Sequence, residues 1–235
     1  MNEKPQSRPP RALVTGGNGN LGQQVALLLA SAGFEVHVTV RDEAARTSLA
    51  HSTEHGATIH VGDLSREADV KRVFEETGAP LAALVATVGG FHGGAFADID
   101  EAAIDFQYLL NLKSSILTLR YAYPALAAHP GGSAAVLIAN RPSLSSGPGT
   151  AVTTAMKAGI VSLVKSVADE WKLQGIRVNA VAPGLMDTPE NRRAMPDADP
   201  SQWPTPTQVA GVIAYLVSDA ASIITGTVVP VFGRG

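Results

Sequence analysis

The stretch TTAMKAG (153–159) sets a lysine four residues after a threonine. On a helix that spacing puts Thr153 and Lys157 on one face. Val152, Met156, Ile160, Leu163 and Val167 run beside them as an apolar stripe that would pin the helix to a sheet. An ammonium held there can bridge two ribose hydroxyls and bring positive charge to a bound ring. The plainer alternative is a solvated surface lysine. Threonine, by contrast, is a poor proton donor.

A second chemical signal is TGGNGNLG (15–22), covering Thr15, Gly16, Gly17, Asn18, Gly19, Asn20, Leu21 and Gly22. Gly16, Gly19 and Gly22 let the backbone turn tightly and approach a pyrophosphate. The helix that follows would offer free N–H groups and the positive end of its dipole. Glycine turns between strand and helix are common, but this one's place after the first strand favours a dinucleotide.

At the end of the second strand Val40 precedes Arg41. A carboxylate there would take ribose hydroxyls, whereas a cation would accept a 2′-phosphate. Arg41 therefore leans toward NADP over NAD, and its neighbour Asp42 leaves a solvated ion pair as the other reading. In VGDLS, Asp63, followed by Leu64, could accept from an adenine amino group or cap a helix, a task also open to Ser65.

The elements that must hold these residues follow from composition and periodicity. With 235 residues and 45% apolar side chains, the chain suits one α/β domain over 11–235 behind a flexible tail over 1–10. Eighteen Lys and Arg against 21 Asp and Glu give no basic face for nucleic acid, so a small-molecule substrate is expected. The absence of cysteine excludes disulfides, thiolate catalysis and the usual zinc ligands, and no metal is expected. MNEKPQSRPPR has no apolar run behind it, and no uninterrupted apolar stretch approaches a membrane span, so a cytoplasmic protein without membrane partners is expected.

ALVT (12–15), EVHVTV (35–40), TIHV (58–61), LAALVATV (81–88), AAVLIA (134–139), IRVNAVA (176–182) and TVVPVF (227–232) read as seven strands with helices between most of them. That alternation predicts a Rossmann-type, doubly wound, seven-stranded parallel sheet in a three-layer α/β/α sandwich. Five prolines in 184–206 forbid a continuous helix, and a loop that long is usually functional.

NLKSS (111–115), MKAG (156–159), GIRVNAVAPG (175–184) and DTP (187–189), with the phosphate loop, occur in the order and spacing of the short-chain dehydrogenase/reductase superfamily. The chain resembles that superfamily over nearly its whole length. The phosphate loop departs from the commonest family pattern, because Asn20 stands where a glycine would be. VGGFHGG (88–94) and MDTPENRRAMPDAD (186–199) look like the dihydropteridine reductase branch.

The resemblance implies roles for particular residues. Members use Asn, Ser, Tyr and Lys, the Tyr as proton donor and the Lys lowering its pKa and holding the nicotinamide ribose. The Asn corresponds to Asn111, which in the family distorts its helix and holds a water to the lysine. The Lys corresponds to Lys157, the Ser position to Asn140 and the Tyr position to Thr153. Val88, Gly89 and Gly90 would line the cofactor, Pro183 and Gly184 would end a strand near the nicotinamide, and Thr188 would bond its carboxamide. Asp187 and Thr188 equally suit a helix cap.

A positioned general acid contributes about 10² to 10⁴ in rate, on the order of 3 to 5 kcal/mol, while orientation contributes roughly 7 to 11 kcal/mol. Hydride transfer therefore survives loss of the acid when the acceptor is activated, as in a quinonoid dihydropterin or a quinone. A plain ketone needs its alkoxide stabilised. The expected function is an NAD(P)H-dependent reductase of such planar acceptors. The alternative is a nucleotide-binding pseudoenzyme that senses the cofactor.

His92 is the best surrogate donor if it faces the cleft, and otherwise an exposed loop histidine. Arg141 could hold an anionic substrate oxygen, Phe91 could stack on a flat ring, and Met186 belongs to the loop over the substrate. Tyr108, Tyr121 and Tyr123 are weaker stand-ins. Family likeness implies a homodimer or homotetramer paired through the two long helices.

Overall fold

The computed structural model describes residues 8–50 and 56–234. The strands are β1 (Arg11–Thr15), β2 (Glu35–Val40), β3 (Thr58–Val61), β4 (Ala83–Ala86), β5 (Ser133–Ile138), β6 (Ile176–Pro183) and β7 (Val228–Val231). All seven pair in parallel in the order β3-β2-β1-β4-β5-β6-β7. The helices are α1 (Asn20–Ser31), α2 (Glu43–Ala50), α3 (Glu67–Thr77), α4 (Glu101–Gln107), α5 (Ser114–Ala127), α6 (Ala151–Trp171), α7 (Pro189–Ala194) and α8 (Pro206–Val217). Of the tail expected over 1–10, residues 1–7 lie outside the described residues, and Arg8, Pro9 and Pro10 are exposed.

Alternate strand residues feed two cores, which is why the strands read as continuous apolar runs and not as alternating ones. Leu13, Leu84, Leu137 and Val178 meet α3, α5 and α6 on one face, while Ala12, Val85, Val136 and Val181 meet α1 and α8 on the other. The expected strand 81–88 pairs only over Ala83–Ala86. Beyond it the Thr87 hydroxyl donates to the Thr15 carbonyl at 2.5 Å, closing the chain over the top of β1.

From β1 the chain winds one way through β2 and β3 and the other way through β4 to β7, so a crevice opens at the carboxyl ends of β1 and β4. Two local features aim residues at it. Tyr108–Lys113 is a π-helical segment between α4 and α5, and it carries the fully buried Asn111. Among the described residues Ala151–Gln174 is long and apolar enough by composition to cross a membrane, although Lys157 and Lys165 interrupt its apolar run. Thr153, Lys157, Ile160, Val164 and Ala168 face inward along it, so its apolarity is that of a helix wedged onto the sheet.

The loop expected over 184–206 is broken by α7 and a short 3-10 turn at Pro200–Gln202. No continuous helix forms there, as expected, and three of the five prolines, Pro189, Pro200 and Pro206, start separate helical pieces, since proline fits the first helical position.

Candidate active site

A cleft of about 550 Å³ runs along the carboxyl ends of β1, β2 and β4. Gly16, Asn18, Gly19, Asn20, Leu21 and Gly22 form one wall. Gly16 has φ +69°, and a Cβ on Gly22 would fall 2.2 Å from the Gly16 carbonyl oxygen, so this turn closes only on glycines. Gly17 is pressed against Val38, and its N–H donates to the Thr39 carbonyl at 2.8 Å. Around Gly19 the Gly16 carbonyl is the one close neighbour, so the outer side of the turn admits a ligand.

Helix α1 begins at Gly19 with no side-chain cap and no acidic residue in its first turn. Unpaired N–H groups and the dipole there suit an anion, and the turn fits a dinucleotide pyrophosphate. Thr15 is buried beneath it, and its Oγ1 has no hydrogen-bond partner.

At the far end of the cleft Val40, Arg41, Asp42, Asp63 and Leu64 line the wall. The Arg41 side chain is 71% exposed and lies 3.5 Å from Asp42. Asp42 accepts the Ala45 N–H at 2.9 Å, and this bond, with Arg41 behind it, holds its carboxyl below the usual range. Asp42 thus serves α2, which leaves Arg41 as the cation at the wall. Asp63 Oδ1 accepts both the Ser65 N–H and its hydroxyl, at 3.0 and 2.7 Å. The carboxylate shapes a turn and caps no helix, because the residue capping α3 is Arg66.

Between these ends, Val88 and Gly89 form the floor. Asn111 locks the loop behind them: its Oδ1 accepts the Gly90 N–H at 3.1 Å, and its Nδ2 donates to the Gly90 carbonyl at 2.9 Å. Nδ2 also donates to Gln107 Oε1 at 2.7 Å. The same Gln107 oxygen accepts the Thr153 hydroxyl at 3.0 Å, and the His92 carbonyl stands 3.2 Å from that hydroxyl. Lys157 is buried, and its Nζ donates to the Ile138 carbonyl at 2.8 Å. Burial alone pushes its amine down from 10.5 to about 8. A Cβ on Gly89 would lie 3.0 Å from Asn111 Oδ1 and 3.1 Å from Lys157 Nζ, so glycine there lets both polar groups reach the cleft wall.

The remaining sequence candidates divide into two sets. Met186 and Thr188 line the cleft, and Thr188 Oγ1 caps α7 by accepting the Asn191 N–H at 3.2 Å. Pro183 ends β6, and Gly184 packs so close to Phe232 that a Cβ would sit 2.9 Å from its carbonyl oxygen. Asn140 lies at the end of β5, where its Oδ1 caps a 3-10 turn by accepting the Ser143 N–H at 3.0 Å. That leaves the donor end of its amide for other partners. Arg141 stacks over the Phe232 ring at 5.1 Å. Phe91 and His92 are exposed on the loop after β4. The sequence expectation had the His92 side chain facing the cleft. In the structure it is the residue's backbone carbonyl that turns inward, toward Thr153.

Comparison with known proteins decides the family. A family model described as Enoyl-(Acyl carrier protein) reductase matches residues 17–233. The galactitol 2-dehydrogenase of Rhizobium johnstonii is 33% identical over 94% of this chain and 93% of its own. The 3-oxoacyl-(acyl-carrier-protein) reductase FabG of Rickettsia felis is 28% identical over 94% of this chain and 95% of its own. A solved structure described as a short chain dehydrogenase/reductase family protein superposes with a TM-score of 0.88 at 29% identity, covering 96% of this chain and 97% of that one.

The chain belongs to the short-chain dehydrogenase/reductase family. It is an NAD(P)-dependent oxidoreductase of that type. In this short-chain reductase, Gln107, Glu190 and Asn191 are site residues that sequence reasoning missed. Gln107 had a legible signal, a polar residue four before Asn111 and hence on its face of the helix. Glu190 and Asn191 line the cleft from α7, and Glu190 accepts from Asn20 Nδ2 at 2.8 Å. No local pattern announces a pairing across 170 residues.

Proposed function

We propose that this reductase transfers hydride to a flat, electron-poor acceptor of the quinonoid dihydropterin or quinone kind, with NADPH preferred over NADH, on a site of the dihydropteridine reductase type. One observation carries the reading. The Thr153 hydroxyl faces Gln107 Oε1 and the His92 carbonyl, both acceptors only, so its proton is engaged within the protein. The family likeness sets the tyrosine acid at this position, and the group found there gives no proton to a substrate.

Without that acid a ketone reduction forfeits a factor of about 10² to 10⁴. An acceptor that becomes aromatic or neutral on reduction has its own driving force and tolerates the loss. The glycine turn and the start of α1 would hold the pyrophosphate, Arg41 the 2′-phosphate, Lys157 the nicotinamide ribose and Thr188 the carboxamide. The bound dinucleotide supplies the hydride. Phe91, exposed beside Gly90, gives the acceptor an apolar ring to lie on, with Asn140, Arg141 and Met186 around the opening. Ile104, Phe106, Tyr108, Leu109 and Ile116 leave an apolar exposed face on α4 to α5, which supports pairing into a homodimer or homotetramer.

The test is a titration of the purified protein with NADPH and NADH, followed by stopped-flow loss of reduced-nicotinamide absorbance with quinones, quinonoid dihydropterin and simple ketones. Turnover confined to the first two classes is expected. Tight binding without turnover on any acceptor would mark a nucleotide sensor instead.

A further inference from the structure

We infer that Lys157 is itself the proton donor of this site, a catalytic residue and not only a holder of the cofactor ribose. The inference rests on the reductase reading above and names the group that the reading leaves out.

Geometry disqualifies the alternatives. The Thr153 proton is directed at Gln107 and His92 oxygens. The amides of Asn111, Gln107 and Asn140 do not ionise near neutral pH. The His92 side chain is exposed on its loop, and Tyr108 is 42% exposed. Tyr121 donates to Glu67 at 2.8 Å.

Lys157 meets the requirements. Its ammonium has three N–H bonds, and among the described residues the Ile138 carbonyl accepts one of them. Gly89, a residue of the cleft wall, is the near neighbour, and a methyl group added there would touch Nζ at 3.1 Å. The Ile138 carbonyl from β5 accepts from the ammonium and Gly89 from the loop after β4 lies beside it, neither of them charged. Burial, unopposed by any carboxylate, brings the amine to about 8, where it gives up a proton readily at neutral pH.

The step balances. Addition of hydride, with its two electrons, from the reduced nicotinamide leaves an electron pair on the acceptor's oxygen or nitrogen. That pair forms a bond to one Nζ proton while the N–H pair returns to nitrogen. The neutral amine then takes a proton from water.

Lys157→Arg tests this, because guanidinium keeps the charge but cannot donate its proton. Measured at saturating NADPH, turnover with quinonoid dihydropterin is expected to fall by roughly tenfold, short of the about 10² to 10⁴ that an unactivated acceptor would lose, and the wild-type fall in kcat above about pH 8 to disappear. A second measurement needs no cofactor. The folded-state value lies below the unfolded one, so the unfolded chain binds more protons between about 8 and 10.5 and wild-type stability rises with pH across that window. The stability advantage of Lys157→Met over wild type should therefore shrink from pH 8 upward. Wild-type turnover in Lys157→Arg, a flat wild-type kcat, or a Met advantage independent of pH would overturn the assignment of Lys157 alone. Failure of wild type to bind either dinucleotide would remove the reductase reading, and this inference with it.

Discussion

Thr153 on α6 and Gln107 at the end of α4 are joined by a buried hydrogen bond of 3.0 Å in which the hydroxyl donates to the amide oxygen. That oxygen also takes Asn111 Nδ2, so one carbonyl orients both polar residues of the site. Gln107 is 1% exposed and its Nε2 has no partner, an arrangement that costs about 1 to 3 kcal/mol. Its oxygen satisfies two buried donors, which makes the amide part of the site's polar frame.

A tyrosine at 153 alone will not rebuild a carbonyl reductase. Thr153 is 2% exposed, and Gln107 with the His92 backbone stands against its hydroxyl. Thr153→Tyr is expected to destabilise the fold by about 1 to 3 kcal/mol through overpacking, with no gain in ketone reduction. Adding Gln107→Ala should recover part of that stability and let ketone turnover rise. Urea midpoints and steady-state rates for both variants decide it, and a ketone reductase from the single change would refute the crowding.

Arg41 should discriminate the cofactors. Arg41→Ala is expected to weaken NADPH binding by roughly ten- to a hundredfold, in keeping with the 1.5 to 3 kcal/mol of a hydrogen bond to a charged group, and to leave NADH unchanged. Fluorescence titration of both dinucleotides measures this. Equal weakening of the two would assign Arg41 to the shape of the loop and not to a 2′-phosphate.

Glu190 sets a carboxylate against the wall meant for phosphate. It holds Asn20 Nδ2 at 2.8 Å, and its own backbone N–H first, then Asn20, keeps its carboxyl below the usual range. It is therefore ionised at neutral pH and must yield Asn20 when an anion enters. Glu190→Gln should tighten dinucleotide binding a few-fold, and the gain should shrink at high salt, where charge repulsion is screened. Calorimetry at two ionic strengths would show this, and weaker binding by the variant would mean that Glu190 supports the loop.

Acid should loosen the β2–β3 edge. His37 Nδ1 and His60 Nε2 meet at 2.8 Å, while Glu35 lies 3.4 Å from His37 and Glu76 lies 3.0 Å from His60. These three contacts need three ring protons, one more than two neutral imidazoles carry, and a fourth opposes two N–H groups. Burial foremost, then the charges of His60 and Arg11, hold His37 below the usual imidazole range against the pull of Glu35. A folded-state value below the unfolded one gives stability that is complete above about pH 6.5 and lost as pH falls through the folded value. Denaturant midpoints should drop toward pH 5 in the wild type and change less in His60→Gln. Matching pH profiles would dismiss the pair as the cause.

The chain by itself determined the architecture, because what builds it is local. Runs such as EVHVTV and TIHV carry β-branched residues, the first in a strand buried on both faces and the second in the edge strand beside it, and the bounds expected for both match β2 and β3. The glycine turn was legible for the same reason, since a positive φ at Gly16 is a demand on a single residue. The ends of β4 were not, because Thr87 leaves the sheet to bond a carbonyl 72 residues away.

The polar wiring of the site belongs to the tertiary structure. Thr153 finds Gln107 across 46 residues, Asn20 finds Glu190 across 170, and the His92 carbonyl turns inward while its side chain stays in solvent. The direction of a hydrogen bond and the burial that lowers the Lys157 amine depend on which surfaces pack together. Spacing along the chain carries neither quantity, so the residue types announced a site and the packing alone decided which of them holds a proton to give.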